Sequence, residues 1–252
     1  MQDQTYGDDW AEEDEPDTIG RYMQATHMAP GSVLPATTIA TGEWLFPEAD
    51  EIFRGIYTRA GMCFASEVVA VCSAIAGEGK TTVAVGLAVT IAQDFPDRRV
   101  LLVETDPQRS VLAEDFGVEA SPGLVDCIAS GDPLQVACRP TYLGNLHIVP
   151  AGGTDGVIGR PLRSNRIAGL IDSMRQNYDV VIMDLPAMLV NSDAVLLSDL
   201  ADGAICIVRS GVTPLKLVSK AVEQLDEGKL RGIVLNGTRT ALPRWLQRLV
   251  GM

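Results

Sequence analysis

The chain has 252 residues, enough for one α/β domain with extensions, and its 46% apolar and 21% charged content is typical of a soluble globular protein. No run of about 18 apolar residues predicts a membrane-spanning helix. The formal net charge of −13 is concentrated at the N-terminus, where eight acidic side chains precede Gly20 without any Lys or Arg, so nucleic-acid binding is not expected there.

Residues 1–45 are acidic and then rich in Ala, Thr and Pro, a pattern that predicts a poorly ordered extension. No basic and then apolar leader precedes it, and the five cysteines lack C-x-x-C spacing, which favours reduced thiols in a cytoplasmic protein over disulfides or a metal site. From residue 46 apolar residues recur at the spacings of helices and strands. We expect one domain over 46–240, a short helix at 48–60, and a basic amphipathic segment over 241–252.

Apolar strand-like runs alternate with helical stretches through the domain. We expect strands at 68–73, 100–104, 146–150, 179–184, 203–209 and 232–236, with helices at 79–93, 123–130, 162–176, 193–200 and 214–227. Continuous apolar strands joined by helical crossovers are typical of a sheet that is buried on both faces. The sequence therefore predicts a three-layer α/β/α fold with a mostly parallel sheet.

The segment AIAGEGKT at 74–81 follows the first of these strands and opens a helix, as a P-loop does. Its glycines let backbone amides face phosphate oxygens, and the helix N-terminus adds partial positive charge. Lys80 is expected on the β- and γ-phosphates and Thr81 on Mg²⁺. The alternative is a glycine-rich turn without a ligand. The expected ATP-binding residues in the loop are Ala76, Gly77, Glu78, Gly79, Lys80, Thr81 and Thr82.

Carboxylates end two further strands. Asp184 closes the run VVIMD, the arrangement that holds magnesium through water, although an Asp after a strand can also simply cap a helix. Glu104 and Asp106 follow VLLV, where one carboxylate can position or deprotonate a nucleophile and the other can help hold the metal; a solvated acidic loop is the alternative. We expect Lys80, Glu104, Asp106 and Asp184 to be catalytic, and Thr81, Asp106 and Asp184 to hold Mg²⁺.

The motifs AGEGKTT, VLLVETDPQ and YDVVIMDLP, in this order, resemble those of the bacterial tyrosine kinases of capsule and exopolysaccharide export, within the ParA/MinD-like P-loop ATPases. The resemblance covers roughly residues 48–240. It implies an ATP- and Mg²⁺-dependent tyrosine kinase in the cytoplasm, recruited to the inner face of the membrane by a polysaccharide co-polymerase of the chain-length type. It also implies that Asn236 contacts the adenine base.

Residues Glu51 to Arg54 resemble the start of the helix by which these kinases assemble into rings, so Glu51 and Arg54 are candidates for an interface between copies. The family has a second arginine where this chain has Tyr57. A helix that only packs on the core is the alternative.

Two departures from the family leave other functions open. Glu104 stands where the family has Asp, and residues 237–252 lack the family's tyrosine cluster, which leaves Tyr6 and Tyr22 as acceptors by exposure only. One alternative is a switch in the same system that binds or hydrolyses ATP without tyrosine transfer. Another is a ParA/MinD-type positioning ATPase, favoured by Gln108 and opposed by Ile75, which stands where those proteins carry a lysine. The segment 241–252 would touch anionic lipid or dock on the domain.

Overall fold

The structure, a computed structural model, describes residues 26–27, 47–153 and 165–237. Its strands are β1 Thr26–His27, β2 Glu67–Ser73, β3 Val100–Glu104, β4 Arg139–Pro140, β5 Leu146–Val149, β6 Val180–Asp184, β7 Gly203–Arg209 and β8 Leu230–Asn236. Its α-helices are α1 Pro47–Arg59, α2 Lys80–Asp94, α3 Leu112–Phe116, α4 Leu124–Ser130, α5 Arg166–Asn177, α6 Ser192–Leu200 and α7 Leu215–Val222.

The strands form one sheet in the order β1-β8-β7-β2-β6-β3-β5-β4, and every described pairing is parallel except that of β4 with β5. The predicted fold class is confirmed. The six predicted strands are observed with small shifts at their ends, because buried parallel strands are apolar along their whole length. Helix α3 and the two-residue strands β1 and β4 were not predicted.

Apolar side chains of the strands alternate between two cores, one on each face of the sheet. Val69 and Val71 of β2 face a core that also holds the buried residues of α1, α2 and α3. Ala70 and Cys72 face the opposite core, which α4, α5, α6 and α7 cover. The sheet therefore lies between two helical layers, and its side chains reach water chiefly at the strand ends.

Helix α1 packs on α2 through a glycine. A Cβ atom on Gly86 would lie 2.0 Å from Cζ of the buried Phe53 ring, so only glycine lets the two helices approach this closely. The Arg54 guanidinium adds a two-pronged ion pair with Asp94, with Nε and Nη2 at 2.8 and 2.7 Å from its oxygens. The Tyr57 hydroxyl donates to the same carboxylate at 2.9 Å. Helix α1 is thus tied to the C-terminal end of α2.

The predicted N-terminal extension and the segment over 241–252 lie outside the described residues, apart from Thr26–His27. Those two residues pair in parallel with Val234 and Leu235 of β8. None of the helices in the described ranges has the length and apolarity needed to cross a bilayer.

Candidate nucleotide-binding site

The phosphate loop connects β2 to α2, as predicted, and two of its glycines adopt backbone conformations that other residues rarely adopt. Gly77 has φ of 82° and Gly79 has φ of 92°, both in the left-handed region. A Cβ atom on Gly79 would also lie 2.0 Å from the Asn236 amide nitrogen. The loop can therefore have this shape only with glycine at these places.

Glu78 differs from its neighbours in the loop, because its side chain is buried. Its carboxylate accepts hydrogen bonds from the backbone N–H of Ile75 at 2.8 Å and of Arg209 at 3.1 Å, and from the Thr213 hydroxyl. Its carbonyl oxygen accepts from the Asn236 amide at 2.8 Å. The side chain of Glu78 therefore joins the loop to the end of β7, while Asn236 reaches the loop from the end of β8.

Asp184 and Thr81 meet at the start of α2. The Thr81 hydroxyl donates to Oδ2 of Asp184 at 2.6 Å, and the Asp184 side chain is buried at the tip of β6. Burial raises the pKa of Asp184 to about 7; the Thr81 hydrogen bond and the Lys80 charge lower it, while the Glu104 and Asp106 charges raise it further. The four charged groups named in these motifs therefore act on one another at a single edge of the sheet.

The residues present fit a magnesium ion. Oδ1 of Asp184 is buried without a hydrogen-bond partner, although a buried carboxylate oxygen normally has one. The Thr81 hydroxyl lies beside it, and hydroxyl and carboxylate oxygens are the ligands that Mg²⁺ prefers. Thr81 would hold the ion directly and Asp184 through water, with Asp106 as a further candidate.

Glu104 lies at the tip of β3 with its carboxylate fully engaged. The Ser110 hydroxyl donates to Oε2 at 2.6 Å, and the backbone N–H of Ala151 donates to the same oxygen at 3.2 Å. The N–H groups of Val111 and Leu112 donate to Oε1 at 2.6 and 3.2 Å. The Glu104 carboxylate therefore accepts from the backbone N–H groups at the start of α3, and this geometry indicates that Glu104 stabilises the fold there. Its predicted catalytic role stays a prediction.

Asp106 is the less engaged carboxylate of the second motif. It is half-buried and accepts a hydrogen bond from the Gln108 N–H at 3.2 Å, at the start of a 3₁₀ turn over Pro107–Arg109. Lys80, Thr81 and Thr82 are half-buried in the first turn of α2. The structure thus brings the loop, Asp106 and Asp184 to one edge, as the sequence predicted.

Glu51 and Arg54 lie away from this edge, on α1. Arg54 is 3.7 Å from Glu51 and makes the closer pair with Asp94 in the same chain. Tyr57, which stands where the family has a second arginine, binds Asp94 as well. The expected interface between copies stays a prediction, and the contacts described here are those of a helix packed on its own domain.

Sequence reasoning missed three residues that shape the site. Thr105 is buried, and its hydroxyl donates to the Asp184 carbonyl at 2.8 Å, which joins the tips of β3 and β6. Arg209 and Thr213 hold Glu78, and the exposed Arg209 guanidinium also donates to the Gly77 carbonyl at 3.4 Å. The only signal in the sequence was their position at or shortly after the carboxyl ends of strands, where parallel sheets bind ligands.

A parallel sheet with a glycine loop between β2 and α2, and a hydroxyl–carboxylate pair at the loop, define the P-loop NTPase fold. The profile of the family described as AAA domain matches residues 66–225. The tyrosine-protein kinase YwqD of Bacillus subtilis (strain 168) is 31% identical over 173 residues, which are 68% of this chain and 72% of that protein. The chain belongs to the bacterial tyrosine-protein kinase family of P-loop proteins.

Other relatives are longer than this chain. The succinoglycan biosynthesis transport protein ExoP of Rhizobium meliloti (strain 1021) is 31% identical over 178 residues, which are 69% of this chain and 22% of ExoP. The chain therefore matches about a fifth of the length of that relative.

Solved structures of two kinds of P-loop protein superpose on the chain. The kinase domain of the Escherichia coli tyrosine kinase ETK superposes with a TM-score of 0.71 at 26% identity, over 86% of each chain. The septum site-determining protein MinD of Pyrococcus horikoshii OT3, complexed with Mg-ADP, superposes with a TM-score of 0.58 at 25% identity, over 73% of this chain and 76% of MinD. The kinase domain is thus the better structural match of these two.

Proposed function

We propose that this chain binds Mg·ATP at the phosphate loop and transfers the γ-phosphoryl group to a protein tyrosine in a system that makes or exports exopolysaccharide. The observation that carries the proposal is the Thr81–Asp184 pair, 2.6 Å apart at the start of α2 and beside an unpartnered carboxylate oxygen. The names of the relatives, a tyrosine-protein kinase and a succinoglycan transport protein, support the acceptor and the pathway.

In the proposed reaction, the tyrosine oxygen forms a bond to the γ-phosphorus as the bond between that phosphorus and the bridging oxygen of ADP breaks. Asp106 accepts the proton of the tyrosine hydroxyl, since it is half-buried at this edge and accepts one described hydrogen bond. Lys80 places a positive charge on the phosphate oxygens. Bound magnesium would supply further positive charge to the phosphates, held by Thr81 and Asp184.

A second candidate function is an ATP-dependent switch of the same system, without tyrosine transfer. The observation that favours it is Glu104, whose four hydrogen bonds leave it little freedom to act on a substrate. In this case ATP binding or slow hydrolysis would change the assembly of the protein.

The proposed partners follow from the pathway. A membrane polysaccharide co-polymerase would recruit the chain to the inner face of the membrane, and copies of the chain would assemble through Glu51 and Arg54 of α1. Both are proposals that binding measurements with the co-polymerase and with the isolated chain would test.

The deciding experiment incubates the purified chain with magnesium, γ-labelled ATP and a tyrosine-containing copolymer. Label on tyrosine is the expected result. Free labelled phosphate without labelled protein would instead support the switch, and the absence of any nucleotide binding would contradict both. Lys80→Ala is the control, because the phosphates lose their ammonium partner, and we expect it to abolish turnover. Unchanged turnover in this variant would place the activity elsewhere.

A further inference from the structure

The phosphate loop contains a buried carboxylate, that of Glu78. Glu78 is 1% exposed, yet it belongs to a loop whose neighbouring residues, Gly77 and Gly79, are exposed or half-buried. One of its oxygens accepts the Ile75 N–H, and the other accepts both the Arg209 N–H and the Thr213 hydroxyl. The side chain therefore points away from the expected phosphate position and into the junction between the loop and β7.

We propose that Glu78 is a positioning residue for the nucleotide phosphates and binds them through no side-chain atom of its own. This inference rests on the nucleotide binding proposed above and deepens it. The carboxylate holds the first part of the loop, at Ile75, against the strand end at Arg209. From the other side, Asn236 donates to the Glu78 carbonyl at 2.8 Å. Contacts from β7 and β8 thus fix both the side chain and the backbone of one loop residue.

The partners of Glu78 explain why the residue is acidic. All three groups that face its oxygens are donors, two N–H groups and one hydroxyl. A carboxylate is acceptor-only, so it satisfies all of them, whereas the amide of glutamine would turn an NH₂ group toward at least one N–H or O–H. A buried donor without a partner is costly, and the loop would move to avoid it.

Small movements of this loop matter because its neighbours are close. The Asn236 amide nitrogen lies only 2.0 Å from the position that a Cβ atom of Gly79 would occupy, so the loop packs tightly against the end of β8. A shift at Glu78 would change where the backbone amides of 76–80 point. Since these amides are the expected phosphate ligands, nucleotide affinity reports the shift directly.

The test measures ADP affinity in the full chain at a temperature well below unfolding, with thermal unfolding measured for each variant. We expect Glu78→Gln to weaken ADP binding about tenfold, the equivalent of about 1.4 kcal/mol. Glu67→Gln is the matched control. Glu67 is also buried, at 3% exposure, and lies at the opposite end of β2, where it accepts the Cys63 N–H at 2.9 Å and pairs with Arg231. We expect that control to lose stability but to bind ADP within about twofold of the unmodified chain.

A second pair of variants keeps the proposal testable if Glu78→Gln does not fold. Thr213→Val removes the hydroxyl donor at nearly constant volume and is expected to weaken ADP binding about threefold, whereas Thr213→Ser restores the donor and most of the affinity. Equal ADP affinity in Glu78→Gln and the unmodified chain, equal loss in Glu67→Gln and Glu78→Gln, or no difference between the two Thr213 variants would each overturn the positioning role. An unmodified chain that binds no ADP would overturn the proposed function itself.

Discussion

Glu104 and Asp184 end neighbouring strands, are register partners in the sheet, and are both buried, yet their surroundings are opposite. The Glu104 carboxylate accepts four hydrogen bonds from the chain, whereas Asp184 accepts one at its side chain and has a buried oxygen without a partner. A fully satisfied buried carboxylate stabilises the fold around it. One that lacks donors is costly to bury, and such groups are enriched where ligands bind. The comparison favours Asp184 as the carboxylate that serves the proposed ligand and Glu104 as one that stabilises the fold.

Of the variants that test this comparison, Asp184→Asn has the largest expected effect. We expect turnover with Mg·ATP to fall roughly 10- to 100-fold, because residues that hold a metal through water contribute about this much. Burial raises the pKa of Asp184 to about 7, so at pH 8 without nucleotide the charged form destabilises the folded state. The variant should therefore be at least as stable as the unmodified chain in urea unfolding at that pH. An unaltered magnesium titration would contradict the role given to β6.

Glu104→Gln is the converse experiment. We expect a loss of about 2 kcal/mol in the free energy of unfolding, because an amide cannot accept from all four donors, and a turnover within about threefold of the unmodified chain. Urea unfolding and turnover of the folded protein are the measurements. A turnover loss of a hundredfold at unchanged stability would reverse the comparison and restore the catalytic role that the sequence predicted for Glu104.

The features of the site that depend on short segments of sequence could be predicted. The glycine loop, its strand and helix, and an acid at the tip of β6 all follow from short segments, and the parallel sheet brings strand tips together without further information. The partners of Glu104 lie 6 to 47 residues away along the chain, and no periodicity marks them. The same holds for Glu78, which the sequence placed among the ATP-binding residues and whose side chain meets Arg209 and Thr213, more than a hundred residues away.

Ser110→Ala tests one donor of the Glu104 set. The Ser110 hydroxyl is 2.6 Å from Oε2, and its removal leaves the carboxylate with three donors. We expect unfolding to become easier by about 1 kcal/mol, with turnover unchanged within error. Ser130→Ala is the control. Its exposed hydroxyl donates to the Asp126 carbonyl at 2.9 Å and accepts from the Asp132 N–H at 3.2 Å, and we expect a smaller loss because both bonds are exposed to water. Equal losses in the free energy of unfolding for the two variants would mean that the hydrogen bonds to Glu104 stabilise the fold no more than an exposed hydrogen bond does.

The smallest effect concerns a carboxylate outside the site, Asp94, which calibrates how much an ordinary ion pair contributes. The hydrogen bond from Arg54 foremost, and that from Tyr57, hold the pKa of Asp94 below its usual value, while burial opposes them. A lowered pKa means that the pair stabilises the fold above about pH 4 and that this stability is lost as the pH falls through the folded-state pKa.

We therefore expect Asp94→Asn to lower the melting temperature at pH 7 by about 2 °C and the difference to disappear near pH 2, since half-exposed pairs contribute little. Asp97→Asn, at an exposed position three residues on, is the control, and we expect it to lower the melting temperature at pH 7 by less than Asp94→Asn does. A pH-independent difference for Asp94→Asn would mean that the side chain acts through packing and that its charge is not what joins α1 to α2.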